Sequence, residues 1–408
     1  MTDLDRRTFL THAAGGVAAI SLVPNFKAFG GFARDEQLNI GVVGVGRQGR
    51  SIMGELGKIS GVNVVAVCDI DDRRLKSGLR RSSGATGYAS VRELIDSGTV
   101  DAIAIATPTH THREVAIECL EAGVHVYLEC PLAHTREDCI AITQAARKSA
   151  AVVAAGLQGR SNPVYSLARG FFRSDSVRDL ISMRAQNHRK TTWITPSNDP
   201  VRKEALNWKL DPARANGLAG EWGTHQFDVF HWYTGKYPTK VIGTGGVRFY
   251  EDGRTVADTV SCMLIYEDGA TMAYDATIAN SYGGKHEVFH GSNAAIKLGW
   301  SHGWLFKEAD APTQGWEVYA NRQQFHNDEG ITLIAGATKL AEQGKLKDGV
   351  GLPHPSVYYA LEDWVSAIES GSTPACTIEE AARATVVGIA ANDAVVSGKM
   401  VDIDLAGL

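Results

Sequence analysis

The stretch "HVYLECPLAHT", His125 to Thr135, ends a β-rich run in Glu129, Cys130 and Pro131. Strand ends of this kind carry the chemistry of α/β proteins. A thiol there has two readings. As a thiolate, Cys130 is a base or nucleophile, which requires a nearby cation or helix N-terminus to lower its pKa. As a neutral thiol it only fills space. Nearer the N-terminus, Gly44-Val45-Gly46-Arg47-Gln48-Gly49 stands between an apolar run and a helical pattern. In that setting G-x-G-x-x-G cradles a dinucleotide. Gly44 permits the tight turn, Gly46 lets the backbone approach a pyrophosphate, and Gly49 lets helix pack on strand, with Arg47 and Gln48 inside the turn. The next strand ends in Asp69, 20 residues after Gly49 (69 − 49), where a carboxylate binds a ribose diol and repels a 2′-phosphate. NAD is therefore expected over NADP. Arg73 and Arg74 weaken that preference unless they lie on a solvated helix face. In the second half, His225 titrates in the range suited to proton transfer at neutral pH, although a lone histidine is more often structural. Glu221 stands four residues before it, either to orient or charge-pair the imidazole or to cap the following helix.

These residues need a scaffold. Leu38 to Val45 reads as a parallel strand buried on both faces, followed by a helix through Leu56. "VNVVAVCDID" and Asp101–Ala106 are further strands. Thr111 to Glu114 has capping-box spacing for a helix to Ala122, Thr135 caps another, and "VVAAGLQ" returns to a strand. Repeated β-α-β units mean a doubly wound parallel sheet with ligands at the carboxyl ends of its strands, the edge that holds Thr107, Pro108, Glu129, Cys130 and Gln158. After Gln158 the texture changes. "GLAGEWGTHQFDVFHWYTG" reads as a glycine-rich loop entering a helix. Short alternating segments then follow, with Glu267-Asp268-Gly269 as a hairpin signal, and these predict a large, mostly antiparallel open sheet. Helices around 355–370 and 377–398 close the chain.

At 408 residues, with 44% hydrophobic and 21% charged, two domains are expected. A net charge of −5 without a basic block argues against nucleic acid as a partner. Six cysteines without C-x-x-C pairs give neither a zinc motif nor a disulfide framework, and no metal is expected, even with Asp228 and His231 at helical spacing from His225. Arg6 and Arg7 precede Thr8-Phe9-Leu10 and a short apolar run to Val23, the order of a twin-arginine export signal. The run is too short to span a bilayer stably. The expected division is residues 1–36 as export signal and linker, 37–157 as nucleotide-binding domain and 158–408 as substrate and oligomerisation domain, with a periplasmic location.

The glycine turn, Asp69, Ala106-Thr107-Pro108 with His112, Glu129-x-Pro131, the Gly220–Asp228 stretch and the closing helix together resemble the Gfo/Idh/MocA oxidoreductases. The resemblance implies a Rossmann domain followed by an α/β domain with an open antiparallel sheet, and NAD(P)-linked chemistry at a secondary alcohol of a sugar, glycoside or cyclitol. It also places His112 among the cofactor-site residues and His225 at the substrate. It implies a carbohydrate partner, and a dimer or tetramer formed through the open sheet. The family pattern Glu-Lys-Pro uses its lysine for proton transfer, and this chain has Cys130 there. His188, Lys190, Lys209 and Tyr165 are secondary candidates. An exported enzyme lacks a soluble nicotinamide pool, so the cofactor is expected to be tightly bound. The same argument raises a redox-neutral NAD-dependent glycoside hydrolase as the alternative, and a non-catalytic sugar-binding protein as a third reading.

Overall fold

The apolar run at Leu38 forms β1 (Leu38–Val43), which is buried on both faces because it pairs in parallel with β2 (Val62–Cys68) on one side and β4 (Ala102–Ile105) on the other. With β3 (Thr86–Tyr88), β5 (His125–Leu128) and β6 (Val153–Ala155), the parallel sheet has the order β3-β2-β1-β4-β5-β6. The strand order reverses between β1 and β4, and such a switch point opens a crevice at the carboxyl ends of the strands. The computed structural model describes residues 37–408 apart from 326–327, 344 and 346–350. The leader expected over residues 1–36 lies outside the described residues.

The second sheet contains β7 (Leu180–His188), β8 (Lys240–Gly246), β9 (Thr259–Ile265), β10 (Thr271–Thr277), β11 (Lys285–Gly291), β12 (Ala294–Leu298), β13 (Gly303–Lys307), β14 (Arg322–Gln324), β15 (Glu329–Leu333) and β16 (Val401–Asp402). Their order is β14-β15-β13-β12-β11-β7-β10-β9-β8-β16. Among the described residues, neighbours in this sheet pair antiparallel except β7 with β10. The expected architecture, a doubly wound parallel sheet plus a large, mostly antiparallel one, is therefore present. The hairpin at Glu267–Gly269 joins β9 to β10, with Gly269 at φ +83°. Cys262, Leu264 and Tyr266 are buried against the helices and Met263 faces out, as strand alternation requires.

Helix ends follow their caps in part. Thr135 accepts from Asp138 N at 3.1 Å, and Thr377 from Glu380 N at 3.4 Å. The Thr111 box does not form. A 3-10 turn over Thr109–Thr111 precedes the helix His112–Glu121, so the Thr111 hydroxyl bonds Thr107 Oγ1 (2.9 Å) and the Pro108 carbonyl (2.8 Å) instead.

The two halves are not separate in space. The helix Ser356–Ser370 returns to the parallel sheet, where fully buried Trp364 meets Tyr127 with ring centroids 5.7 Å apart. Truncating such a side chain costs about 3–5 kcal/mol. The Leu132 amide donates to Thr385 Oγ1 at 2.9 Å, so the long helix Ile378–Ser397 grips the loop after β5. Nearby, buried Arg160 donates to Asp228 (2.7 Å) and to Glu380 (3.1 Å), locking the chain after β6 to the second half. Among the described residues no helix is long and apolar enough to cross a membrane.

Candidate active site

The turn after β1 is built from glycine geometry. Gly44 has φ +83°, and a Cβ there would lie 2.7 Å from the Ala106 carbonyl at the end of β4. A Cβ on Gly49 would lie 1.9 Å from Gly44 O, so helix α1 (Arg47–Leu56) packs on the turn only without side chains. A Cβ on Gly46 would meet nothing closer than the Arg74 guanidinium, at 3.5 Å. The approach to Gly46 is therefore open and bordered by a cation. No side chain caps the α1 N-terminus, which leaves its N–H groups and dipole for an anion. Asp69, buried at the end of β2, accepts from Val45 N and Asp71 N, each at 2.9 Å. Burial raises its pKa, partly offset by those amides and by Arg74. Open backbone, free N–H groups and a buried carboxylate at the end of the next strand fit a dinucleotide. Arg74 is turned toward Gly46, while Arg73 is exposed.

The other expected residues lie along the same rim. Gln48 Nε2 donates to Glu129 Oε1 at 2.9 Å. Glu129 is buried, and desolvation pushes its pKa up to about 7 against the Gln48 hydrogen bond and the charge of Lys209. Thr107 and Pro108 are half-buried where β4 ends, Gln158 is half-buried just past β6, and Arg47 is exposed on α1.

His225 sits in the first turn of the helix Gly223–Thr234, against the backbone of Cys130. Burial, then the charges of Lys285 and Lys209, push its pKa down to about 3, so the imidazole is neutral at neutral pH. Glu221 ends the short helix Gly217–Glu221 and is buried. Its Oε2 accepts from Thr109 Oγ1 and pairs with Lys209 Nζ, each at 3.5 Å, and its Oε1 accepts from Asn216 N at 3.5 Å. Burial raises its pKa, and Lys209 works against that rise. Glu221 thus pairs with Lys209 rather than with His225. Lys209 also lies over two indoles, 5.3 Å from the centroid of Trp193 and 5.2 Å from that of Trp208. Trp222 meets Trp193 edge-on at 5.5 Å.

Two expectations require correction. Cys130 is not a thiolate: burial pushes its pKa well up, and Cys376, Glu129 and Asp228 push it further, against a hydrogen bond from the Gly156 backbone. His112 does not offer its ring to a cofactor. It is buried, with Nδ1 3.1 Å from the Pro131 carbonyl and Nε2 3.0 Å from the Thr107 carbonyl. Burial lowers its pKa to about 4. It lies between the ends of β4 and β5, where the neutral ring donates its one N–H to a carbonyl.

Of the secondary candidates, Lys209 belongs to the site. His188 pairs with Asp275, Lys190 covers Phe249, and Tyr165 is buried with its hydroxyl on Glu287. Asp228 is engaged by Arg160, and His231 bonds Glu380 at 3.0 Å and stacks on Tyr237. Among the described residues no group of three His, Cys, Asp or Glu could hold a metal ion. Sequence reasoning missed Lys285, Trp193 and Trp222, because the loops carrying the tryptophans have no periodic pattern and Lys285 reads as a solvated strand residue.

Comparison with known proteins bears on the family and the fold. Residues 38–157 match the oxidoreductase family with an NAD-binding Rossmann fold, and residues 183–297 match the GFO/IDH/MocA C-terminal domain. The chain is 27% identical over 241 residues to a levoglucosan dehydrogenase of Pseudarthrobacter phenanthrenivorans, covering 53% of this chain and 60% of that protein. It is 23% identical over 370 residues to a myo-inositol 2-dehydrogenase of Thermotoga maritima, covering 90% and 99%. Several proteins named inositol 2-dehydrogenase match over only 54% to 57% of their length. A levoglucosan dehydrogenase solved with NADH and levoglucosan superposes with a TM-score of 0.71 at 19% identity, over 90% of this chain and 100% of the other, a likeness of fold. With both domains matched in order, the chain belongs to the Gfo/Idh/MocA family of oxidoreductases.

Proposed function

We propose that the protein is an NAD-dependent dehydrogenase that oxidises a secondary alcohol of a sugar, glycoside or cyclitol. One observation carries the reading: His225 meets the backbone of Cys130 at the sheet rim, beside the Lys209–Glu221 pair and the indoles of Trp193 and Trp208. Indole faces suit the C–H faces of a sugar ring, and the polar groups beside them suit its hydroxyls. The glycine turn, Asp69, Gln48 and Glu129 would hold the dinucleotide, with Thr107, Pro108 and Gln158 along the same edge. Bound there, the nicotinamide supplies the hydride acceptor. His225, neutral at the rim, hydrogen-bonds the substrate hydroxyl and passes its proton on, and Lys209 holds the Glu221 carboxyl in place. Relatives named as levoglucosan and inositol dehydrogenases favour net oxidation over the redox-neutral hydrolase cycle.

The finer features rest on separate supports. NAD is preferred over NADP because the Asp69 carboxylate stands where a 2′-phosphate would go, although Arg74 softens the discrimination. Tight cofactor retention is supported by Arg202, on the helix Pro200–Leu206, which pairs with Asp71 two residues beyond Asp69 and so ties the second half to the adenosine end of the crevice. Assembly through the outer face of the large sheet is supported by exposed Ile181 (63%), Ile242 (43%) and Met263 (39%). Twin-arginine export to the periplasm rests on Arg6, Arg7 and the apolar run after them. The division at residues 37–157 and 158–408 follows the change of texture near Gly156–Gly159.

The test is a panel of polyols, inositols, anhydrosugars and aryl glycosides incubated with purified protein, with and without NAD. Steady formation of reduced nicotinamide with NAD supports the reading. Aglycone release without net NAD reduction contradicts it.

A further inference from the structure

Replacing the strand-end lysine by Cys130 leaves that position without a proton acceptor, because the thiol stays protonated. Two other lysines act on His225, and Gln226, the next residue on its helix, donates to the carbonyl of His286 beside Lys285 at 3.0 Å. Lys209 is already ion-paired with Glu221. Lys285, the first residue of β11, is not: among the described residues its Nζ has neither an ion pair nor a hydrogen-bond acceptor, and it lies 3.4 Å from the ring centroid of Trp300. Lys285 and Glu287 share a face of β11 by strand alternation. The Glu287 carboxylate, however, is taken by the Tyr165 hydroxyl and by Gln226 Nε2 at 2.8 Å. Trp300 holds φ +66°, a costly backbone conformation for a bulky residue. The indole face and the charge of Glu287 both favour the ammonium, and desolvation acts against them. The ionisable groups around it are Glu287 on its own strand, Tyr165 beyond that, and His225 on the facing helix. Desolvation of an unpaired amine favours its neutral form. It brings the Lys285 pKa down to about 7, although Glu287 opposes the shift.

We propose that Lys285 takes the proton of the substrate hydroxyl, in the role that the family pattern gives to a lysine at position 130. The proposal rests on the dehydrogenase reading. The hydroxyl proton moves to the neutral Nζ, the hydrogen on the same carbon leaves with its bonding pair to the oxidised dinucleotide, and the C–O bond becomes a carbonyl. The products are a ketone, the reduced dinucleotide and an ammonium at residue 285.

Competitive acylation of lysines across pH, read by peptide mass spectrometry, reports the ionisation of Lys285 without turnover. Half-reactivity near pH 7 is expected. A value at the ordinary lysine range, about 10.4, overturns the proposal. Lys285→Arg keeps the cation but cannot give up its proton, and Lys285→Met removes it. Both are expected to lower kcat by roughly 100-fold or more, with NADH affinity and melting temperature near wild type for the arginine variant. If the wild type oxidises a polyol and Lys285→Arg does so equally fast, the lysine proposal alone fails. If the wild type oxidises none of the panel, the dehydrogenase reading fails and this role with it.

Discussion

Gln48 and Glu129, 81 residues apart, share a 2.9 Å hydrogen bond that ties the glycine turn to the end of β5. The bond joins the part of the crevice suited to phosphates to the part suited to chemistry. It also acts on a carboxyl whose pKa burial has raised to about 7.

Glu129 holds its proton more tightly in the folded chain than in the unfolded one. Its contribution to stability is therefore complete below the unfolded value of about 4.3 and is lost as pH rises through about 7. Glu129→Gln keeps the shape without the titration. Urea unfolding at about pH 4 and about pH 8 should show the variant gaining on the order of 3 kcal/mol relative to wild type across that interval. Parallel pH dependence of the two proteins would contradict the raised pKa.

Cys130→Ser should keep kcat within about threefold of wild type, because loss of a general base costs roughly 10²–10⁴-fold and the buried thiol is not one. A collapse in kcat with an altered pH profile would restore the thiolate reading.

Much of this site was legible in the sequence because its parts are local. Gly44, Gly46, Gly49 and Asp69 are fixed by one strand–turn–helix unit and the strand after it, so their spacing alone specifies their geometry. Glu129 and Cys130 were visible as a strand end. The fate of Cys130 was not, since a thiol's pKa depends on neighbours such as Cys376 and Asp228 from distant segments. His112 was misread for a related reason. Its partners, the Pro131 and Leu132 carbonyls, come from another strand end. Lys285 was hidden, and Lys209 stood only among the secondary candidates, because only the tertiary fold distinguishes a lysine on an indole in a crevice from one on a solvated face.

Asp69→Ala should weaken NAD binding by about tenfold or more, in line with the roughly 1–3 kcal/mol of a lost charge-assisted hydrogen bond, and should bring the kcat/KM values for NAD and NADP together. Arg74→Ala should lower residual NADP activity more than NAD activity, since its guanidinium borders Gly46. Steady-state kinetics with both cofactors checks the pair of variants. Unchanged discrimination in Asp69→Ala would contradict the placement of the ribose.

Arg202→Ala removes the link to Asp71 across the crevice and should speed dinucleotide release by about two- to fivefold, following the modest worth of a partly exposed ion pair. Stopped-flow displacement of NADH measures it. An unchanged off-rate would remove Arg202 from the account of cofactor retention.

The most direct test of the central claim is the rate of polyol-dependent NAD reduction by wild type and by His225→Ala, with NADH affinity measured on the same preparations. The account predicts that the wild type turns over, and that the variant loses roughly 100-fold or more in kcat while binding NADH as before. A His225→Ala enzyme that oxidises its polyol at the wild-type rate would contradict it.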